Sequence, residues 1–476
     1  MMRLTVLGGC GGWPAAGQAV PGELWRDLLD EAWAAAAGEL RQPELEVTGD
    51  AGQLPSRLAV EDLAIACAGS ALLAGAAFWE VRGGPASRPA RLDRSQLAAA
   101  FRSERYLRVD GKPFGDGFAP LSRFWPTADG WIRTHANYPW HREALLGVLG
   151  SDGDPAEVAA AIAGHGAAEL ESRIAAAGGV AAAVRSSAEW LASAPGHAAG
   201  MVPLISDRRL GDAPARNRAP GALPAEGIRV LDLTRVIAGP VATRYLAALG
   251  ADVLRIDPPA HPELPLHAVD GLLGKRSALV DFGTPDGLRT LHDLLDGADV
   301  LVHGYRPHAL ERFGLAPDAL ADRHPGLVSV SLSAWGDRGP WGERRGFDSI
   351  VQAASGVAVA EGSLSAPGVL PCQLLDHGTG YLCAAAALGS LAAQVTGGGT
   401  HVRTLSLART SRWLLAQPHA EDAGPAVPAT DGPWLCTVDG ADGPVTTVSP
   451  PGELDGSGLA WRRALTRYGT DLPAWS

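Results

Sequence analysis

Lysine is almost missing from this chain. Of its 476 residues only Lys112 and Lys275 carry an ammonium side chain, and arginine supplies nearly all the remaining positive charge. With abundant Ala, Gly and Pro, this is the composition of a GC-rich coding sequence. No basic block or stripe occurs and the formal net charge is −12, which argues against a nucleic-acid partner. Cysteine is sparse as well. Cys10, Cys67, Cys372, Cys383 and Cys436 are scattered, odd in number and without a CxxC pair. Buried thiols in a reducing compartment fit that pattern better than a disulfide framework or a zinc site. The histidines show no HxH or HxxxH spacing, so no metal centre is expected.

Long hydrophobic runs are few. Leu63 to Trp79 and Gly378 to Thr400 approach transmembrane length, but Ala and Gly dominate both, so buried helices are expected and no membrane partner. At the N-terminus LGGC resembles a lipoprotein cleavage box, yet the apolar stretch before it, LTVL, falls short of the roughly 7–15 residues of a signal core. A cytoplasmic protein is the expectation, with no role assigned to the first twenty residues.

The hydrophobic content of 46% and charged content of 19% describe a folded globule, and the length suits two domains or a two-lobed body. A break falls in GDAPARNRAPGALPAEG, which has no hydrophobic period and reads as a linker or crossing segment over residues 211–226. Helical patterns such as ELWRDLLDEAWAAAAGEL dominate before it, with the β-like ADGWIRTHANYP among them. After it, short apolar strands alternate with helices: IRVLDL, GPVATRYLAALG, ADVLRID, SALVDF, DGLRTLHDLLDGA, DVLVHGY, GLVSVSLS. That alternation predicts βαβ units and a parallel sheet. The first turn lacks GxGxxG, which disfavours NAD or FAD. A weak repeat relates VEDLAIACAGSALLAGAAF to LLDHGTGYLCAAAALGSLAA and sets Asp62 opposite Asp376.

In PCQLLDHGTGYLCAAAALGSLAAQV, Asp376 opens a long uncharged run. Its type and place fit a helix N-cap, a position that aspartate favours. They also fit a carboxylate kept ionised by the helix macrodipole for chemistry. The residues alone leave both open.

Several linked stretches resemble family III CoA-transferases, the family of formyl-CoA and carnitine CoA-transferases and α-methylacyl-CoA racemases. They are LDLTRVIAGPVATRYLAALGADVLRID, GKRSALVDFGTPDGLRTLHDLLDGADVLVHGYRPHALERFGL, HPGLVSVSLSAWGDRGPWGERRGFDSIVQAASG and LLDHGTGYLCAAAALG. The upstream half resembles the same family's catalytic-helix region and small domain, so the pieces stand in an unusual order. The expected fold is α/β, a Rossmann-like parallel-sheet CoA-transferase core plus a smaller α+β domain. The expected organisation is an N-terminal extension and helix (1–54), a half with a catalytic-helix copy and small domain (55–210), the linker (211–226), a CoA-binding and catalytic half (227–420) and an extended tail (421–476).

The resemblance implies that Asp376 is the catalytic nucleophile, with Gly378 and Gly380 letting backbone amides approach an oxyanion. It implies CoA contacts at Arg235, Val236, Val280, Tyr305 and Arg312. Asp62 reads as a cap on a structural helix. Phe347 stands where the racemases carry histidine, which disfavours racemisation and leaves Phe347 either lining the acyl pocket or packing in the core. The expected activity is CoA transfer from an acyl-CoA to a carboxylic acid through an aspartyl anhydride and thioester, with coenzyme A and acyl-CoA as substrates and no permanently bound cofactor. An acyl-CoA racemase or isomerase, or a non-catalytic CoA-binding protein, are the alternatives. A homodimer and a self-sufficient pseudo-dimeric monomer are both compatible with the fused halves.

Overall fold

Six of the strands after residue 228 assemble into one parallel sheet. The computed structural model describes residues 23–85, 89–115, 117–425 and 432–476; Cys10 and the LGGC stretch lie outside them. Taken in chain order, the six strands are Arg229–Leu233, Asp252–Asp257, Arg276–Leu279, Val300–His303, Val328–Ser333 and Thr400–Ser406, and they lie in the spatial order 3-2-1-4-5-6. That is the order of a doubly wound nucleotide-binding sheet, whose direction reverses between the first and fourth strands. A seventh strand, Ser206–Leu210, lies antiparallel against Thr400–Ser406 and comes from before the linker.

The helices start where capping chemistry allows. Thr284 accepts the Gly287 N–H ahead of Pro285, and Asp154 accepts the Ala156 and Glu157 N–H groups ahead of Pro155. The two uncharged runs form the buried helices Val60–Val81 and Leu374–Gly397, which pack on each other. Helix Val60–Val81 is long and apolar enough to cross a membrane, and it is buried inside the protein. The small residues in these runs permit close backbone approach. A Cβ on Gly389 would strike the Ala36 carbonyl oxygen, and one on Gly380 the Ala238 carbonyl oxygen.

The internal repeat has a structural counterpart. Asp62 and Asp376 are each the third residue of their helix. Each helix leads into a strand paired in parallel (Ala90–Asp93 with Leu45–Thr48, Thr400–Ser406 with Val328–Ser333) and then a capped helix, with Asp93 and Ser406 as the caps. Asp62 is not an N-cap of its helix; its Oδ1 accepts the Trp25 N–H at 3.2 Å.

Two long-range features bear on the organisation. Residues 211–226 hold no helix or strand, but they do not divide the protein into separate cores. The largest hydrophobic cluster runs unbroken from Trp25, Leu63 and Phe78 through Val230 and Val241 to Leu382 and Trp413. Arg82 ties the segment down by donating to the carbonyls of Ala219, Pro224 and Glu226. The C-terminal stretch, expected as an extended tail, pairs into sheets. Val445–Val448 pairs with Leu435–Val438 and with Arg108–Val109, and Glu453–Leu454 pairs beside Ala90–Asp93. It completes two sheets of the first half. The smaller α+β unit is the antiparallel sheet Phe124–Pro126, Trp131–Thr134 and Ala181–Ala183 with helices Pro139–Leu149, Pro155–Ala163 and Ala167–Ala176, closed over Trp125, Ile132, Ile162 and Ile174. Among the described residues Cys67, Cys372, Cys383 and Cys436 are unpaired thiols.

Candidate active site

The topological switch point carries a crevice of about 280 Å³. Its floor is the turn after the first strand, Leu233 to Val236, and the turn after the fourth, Gly304 to Arg306, so the sheet alone dictates where a ligand fits. Asp376 and Phe347 complete the wall.

The first turn is held by a buried ionic cluster. Val236 has φ 67°, a left-handed conformation that a β-branched residue rarely adopts. Its N–H donates to Glu263 Oε2 at 2.9 Å, and the same oxygen accepts from Arg255 at 2.9 Å. The other oxygen, Oε1, accepts the hydroxyl of Tyr138, which comes from the first half of the chain. Burial works against the charge of Glu263, but the Arg255 and Arg235 guanidiniums outweigh it and hold the carboxyl down at about 2. Beneath lies Asp232, fully buried, which accepts the Thr234 N–H at 2.9 Å and the Lys275 ammonium at 2.9 Å.

Four guanidiniums surround the crevice: Arg235, Arg306, Arg344 and Arg345. Each is tethered, and Arg235 also lies 3.8 Å from Glu263 and 3.9 Å from Asp257. Arg235 donates to the Pro262 carbonyl, Arg306 to that of Glu343 and Arg345 to that of Gly178, while Arg344 pairs with Glu171 at 3.4 Å. Each keeps donors for an anionic ligand, and forked donors of this kind suit phosphate. Tyr138, Trp140 and Tyr305 supply flat faces beside them.

Asp376 is 6% exposed. The helix N-terminus before it is capped by a different carboxylate: Asp348 Oδ2 accepts the Asp376 N–H at 3.0 Å, and the Leu375 N–H bonds Asp348 as well. The Asp376 carboxyl has no hydrogen-bond partner among the described residues and faces the cavity. The capping alternative is thereby overturned, since the N-cap position belongs to Gln373 and the capping oxygen to Asp348. Ionisation is not favoured either. Burial first, then the charges of Asp348 and Glu104, push the Asp376 carboxyl well above the usual carboxylate range, against the helix macrodipole.

Of the residues singled out in the sequence, Asp376, Arg235, Val236, Tyr305 and Phe347 share this crevice. Val280 and Arg312 do not line it. Val280 is buried in the second hydrophobic cluster, its N–H donating to the Asp257 carbonyl, and Arg312 is exposed with its guanidinium over Phe313. Gly378 and Gly380 also miss the cavity. A Cβ at Gly378 would come 3.3 Å from Cys67 Sγ, and one at Gly380 would collide with backbone, so both sit at close helix-packing contacts. Gly380→Ala tests this directly. On an open helix face the change would add about 1 kcal/mol of stability. Here a loss of about 1–3 kcal/mol in denaturant unfolding is expected from overpacking.

Sequence reasoning missed Glu263, Asp348, Tyr138 and His135. His135, from the β-like ADGWIRTHANYP, stacks on Phe347 with ring centroids 3.8 Å apart. Burial, with His141 and Arg133 adding to it, pulls its pKa well below the usual histidine value. The stretch is visible in the sequence, but nothing local points it at a residue beyond the linker.

Residues 225–435 match the model of CoA-transferase family III. The chain is 35% identical over 187 residues to a probable fatty acyl-CoA transferase of Mycobacterium tuberculosis, covering 36% of this chain and 47% of that protein. It is 33% identical over 195 residues to the succinyl-CoA–L-malate CoA-transferase beta subunit of Chloroflexus aurantiacus, covering 38% and 48%. A crystal structure of the mycobacterial protein aligns with a TM-score of 0.39 at 33% identity, over 41% of this chain and 57% of that one. The chain spans about half the length of the curated relatives it matches.

Proposed function

We propose that the protein is a CoA-transferase that moves CoA from an acyl-CoA to a free carboxylic acid through Asp376. The observation that carries this reading is the uncapped, unbonded Asp376 carboxyl at the end of an arginine-lined crevice on the sheet's switch point. A carboxylate without hydrogen-bond donors is poorly solvated, and once ionised it is a correspondingly strong nucleophile. In the proposed reaction an Asp376 oxygen attacks the thioester carbonyl, the C–S bond breaks and CoA leaves as thiolate, giving a mixed anhydride. The thiolate attacks the aspartyl carbonyl and expels the donor acid, leaving an aspartyl-CoA thioester. The acceptor carboxylate attacks that thioester and releases thiolate again. Thiolate attack on the acceptor's acyl carbon then gives the new acyl-CoA and frees Asp376.

Trapping tests the reading. Incubation with a panel of acyl-CoAs and hydroxylamine is expected to give a hydroxamate at Asp376, located by peptide mass spectrometry and absent from Asp376→Ala. An unmodified Asp376 with every donor, while CoA still binds, would overturn it and leave a CoA-binding protein.

His135 favours one second reading. A neutral imidazole and a carboxyl of raised pKa facing one space are an acid–base pair of the kind that α-proton exchange requires. An acyl-CoA racemase would wash deuterium into the α-carbon without exchanging CoA, and that result would select it.

A further inference from the structure

Arg276–Leu279 is the edge strand of the parallel sheet, and the last residues of the chain lie along it. Thr470 bridges Ala278 in antiparallel sense, and the Gly469 N–H donates to Ser277 Oγ at 2.9 Å. The Ser277 N–H donates to Asp471 Oδ2 and the Asp471 N–H to the Ser277 carbonyl, both at 2.8 Å. Further on, the Trp475 indole donates to the Leu294 carbonyl at 2.9 Å. These bonds cover an open sheet edge, which is reason enough for the stretch to be there. They also fix Tyr468, which directly precedes Gly469, in one place.

That place is beside the ionic cluster under the crevice. The Tyr468 hydroxyl accepts the main-chain N–H of Glu263 at 3.2 Å, and its ring lies 5.7 Å from the Arg255 guanidinium. Glu263 belongs to residues 258–264, which hold no helix or strand, so side-chain bonds rather than a ladder set its position. Its carboxylate is gripped by Arg255 and Tyr138 and in turn holds the Val236 N–H. Three distant parts of the chain therefore meet on one residue, and two of them, at 138 and 468, lie outside the stretch that matches the family. Val236 is where the grip matters. A φ of 67° at a β-branched residue persists only when its surroundings over-determine it. Tyr468 does not line the crevice, so whatever it does there passes through Glu263.

Resting on the transferase reading, which assigns CoA to the crevice, we infer that Tyr468 is a positioning residue of that site. The sheet-edge stretch fixes Tyr468, Tyr468 fixes Glu263, and Glu263 keeps Val236 left-handed, so that the turn presents Arg235 to the ligand. The end of the chain is then a working part of the crevice as well as an edge cover. Without the hydroxyl the Glu263 N–H has no partner, its grip on Val236 loosens, and the turn relaxes toward ordinary φ with Arg235 following it.

The test compares two variants of the full chain. Tyr468→Phe deletes the hydroxyl and keeps the ring over Arg255. Trp475→Phe deletes another bond of the same stretch without touching Glu263. Hydrogen exchange of the peptide carrying the Val236 amide is followed by mass spectrometry in ligand-free protein, and CoA is titrated calorimetrically. In Tyr468→Phe the Val236 amide is expected to exchange about three- to tenfold faster and CoA to bind weaker by a similar factor, the share of one neutral hydrogen bond. Trp475→Phe should leave both unchanged at residue 236 and in CoA affinity, even where it loosens the chain end. Unchanged exchange at Val236 in Tyr468→Phe, equal acceleration in both variants, or faster exchange with unmoved CoA affinity would overturn the inference. Faster exchange in a protein whose wild type binds no CoA would keep the hold on the turn and remove the transferase reading instead.

Discussion

Asp376→Asn is expected to abolish CoA transfer, by about three orders of magnitude or more as for a lost nucleophile, while CoA binds within a few-fold of its original affinity. It is also expected to stabilise the fold at neutral pH. The amide is nearly the shape of the carboxyl and carries no charge, so it escapes the penalty that burial, Asp348 and Glu104 place on the ionised group. A helix cap would behave in the opposite way. Asp348→Ala, which removes the oxygen bonded by the Asp376 and Leu375 amides, should lose about 1 kcal/mol or more. The pH dependence has the same sign. A carboxyl whose folded pKa is raised binds its proton more tightly in the folded state, so wild-type stability falls as pH rises from the unfolded value of about 4 through the folded one. Asp376→Asn should flatten that slope. In catalysis kcat/KM should climb with pH past the ordinary carboxylate range, because only the ionised form attacks. Equal stability losses in Asp376→Asn and Asp348→Ala would remove the distinction between nucleophile and cap.

How much of this is legible in the sequence depends on whether a residue's role is set locally. The strands after residue 228 announce themselves by alternation, and their order in space then fixes the crevice at Arg235, Val236 and Tyr305. Val280 and Arg312 sit in equally suggestive turns, but Val280 faces the core and Arg312 faces solvent, and no periodicity distinguishes those directions. Gly378 and Gly380 are conspicuous for helix packing: backbone from Ala238 leaves no room for a side chain at Gly380, and the thiol of Cys67 crowds one at Gly378. Asp348 directly follows Phe347 in the chain, yet its bond to the Asp376 amide reaches across 28 residues and two intervening helices, and no local capping pattern announces it. The continuous core and the pairing of the C-terminal strands with the first half are long-range facts. A Pro- and Gly-rich stretch reports on local conformation only, so it marks a crossing segment without showing that both sides fold together.

The largest stability change is expected at one of the two lysines. Lys275 is 1% exposed, and its ammonium donates to Asp232 Oδ2 at 2.9 Å, Thr243 Oγ1 at 2.5 Å and the Pro240 carbonyl at 3.1 Å. Burial pulls its pKa down to about 8 in spite of Asp232. Lys275→Met keeps the length of the side chain and deletes the charge, which leaves the Asp232 carboxylate buried with only the hydrogen bonds of Thr234 and Thr243. Removing one partner of a buried pair costs about 3–5 kcal/mol, and urea unfolding should show a loss of that size. Adding Asp232→Asn should recover some of it, because much of the cost is the unpaired charge rather than the lost bond. Function should follow, since Asp232 fixes Thr234 at the head of the turn that carries Arg235 and Val236. In the folded fraction the KM for acyl-CoA should therefore rise more than kcat falls. A loss below about 1 kcal/mol, the scale of an exposed pair, would mean that the turn is held by Glu263 and Arg255 alone.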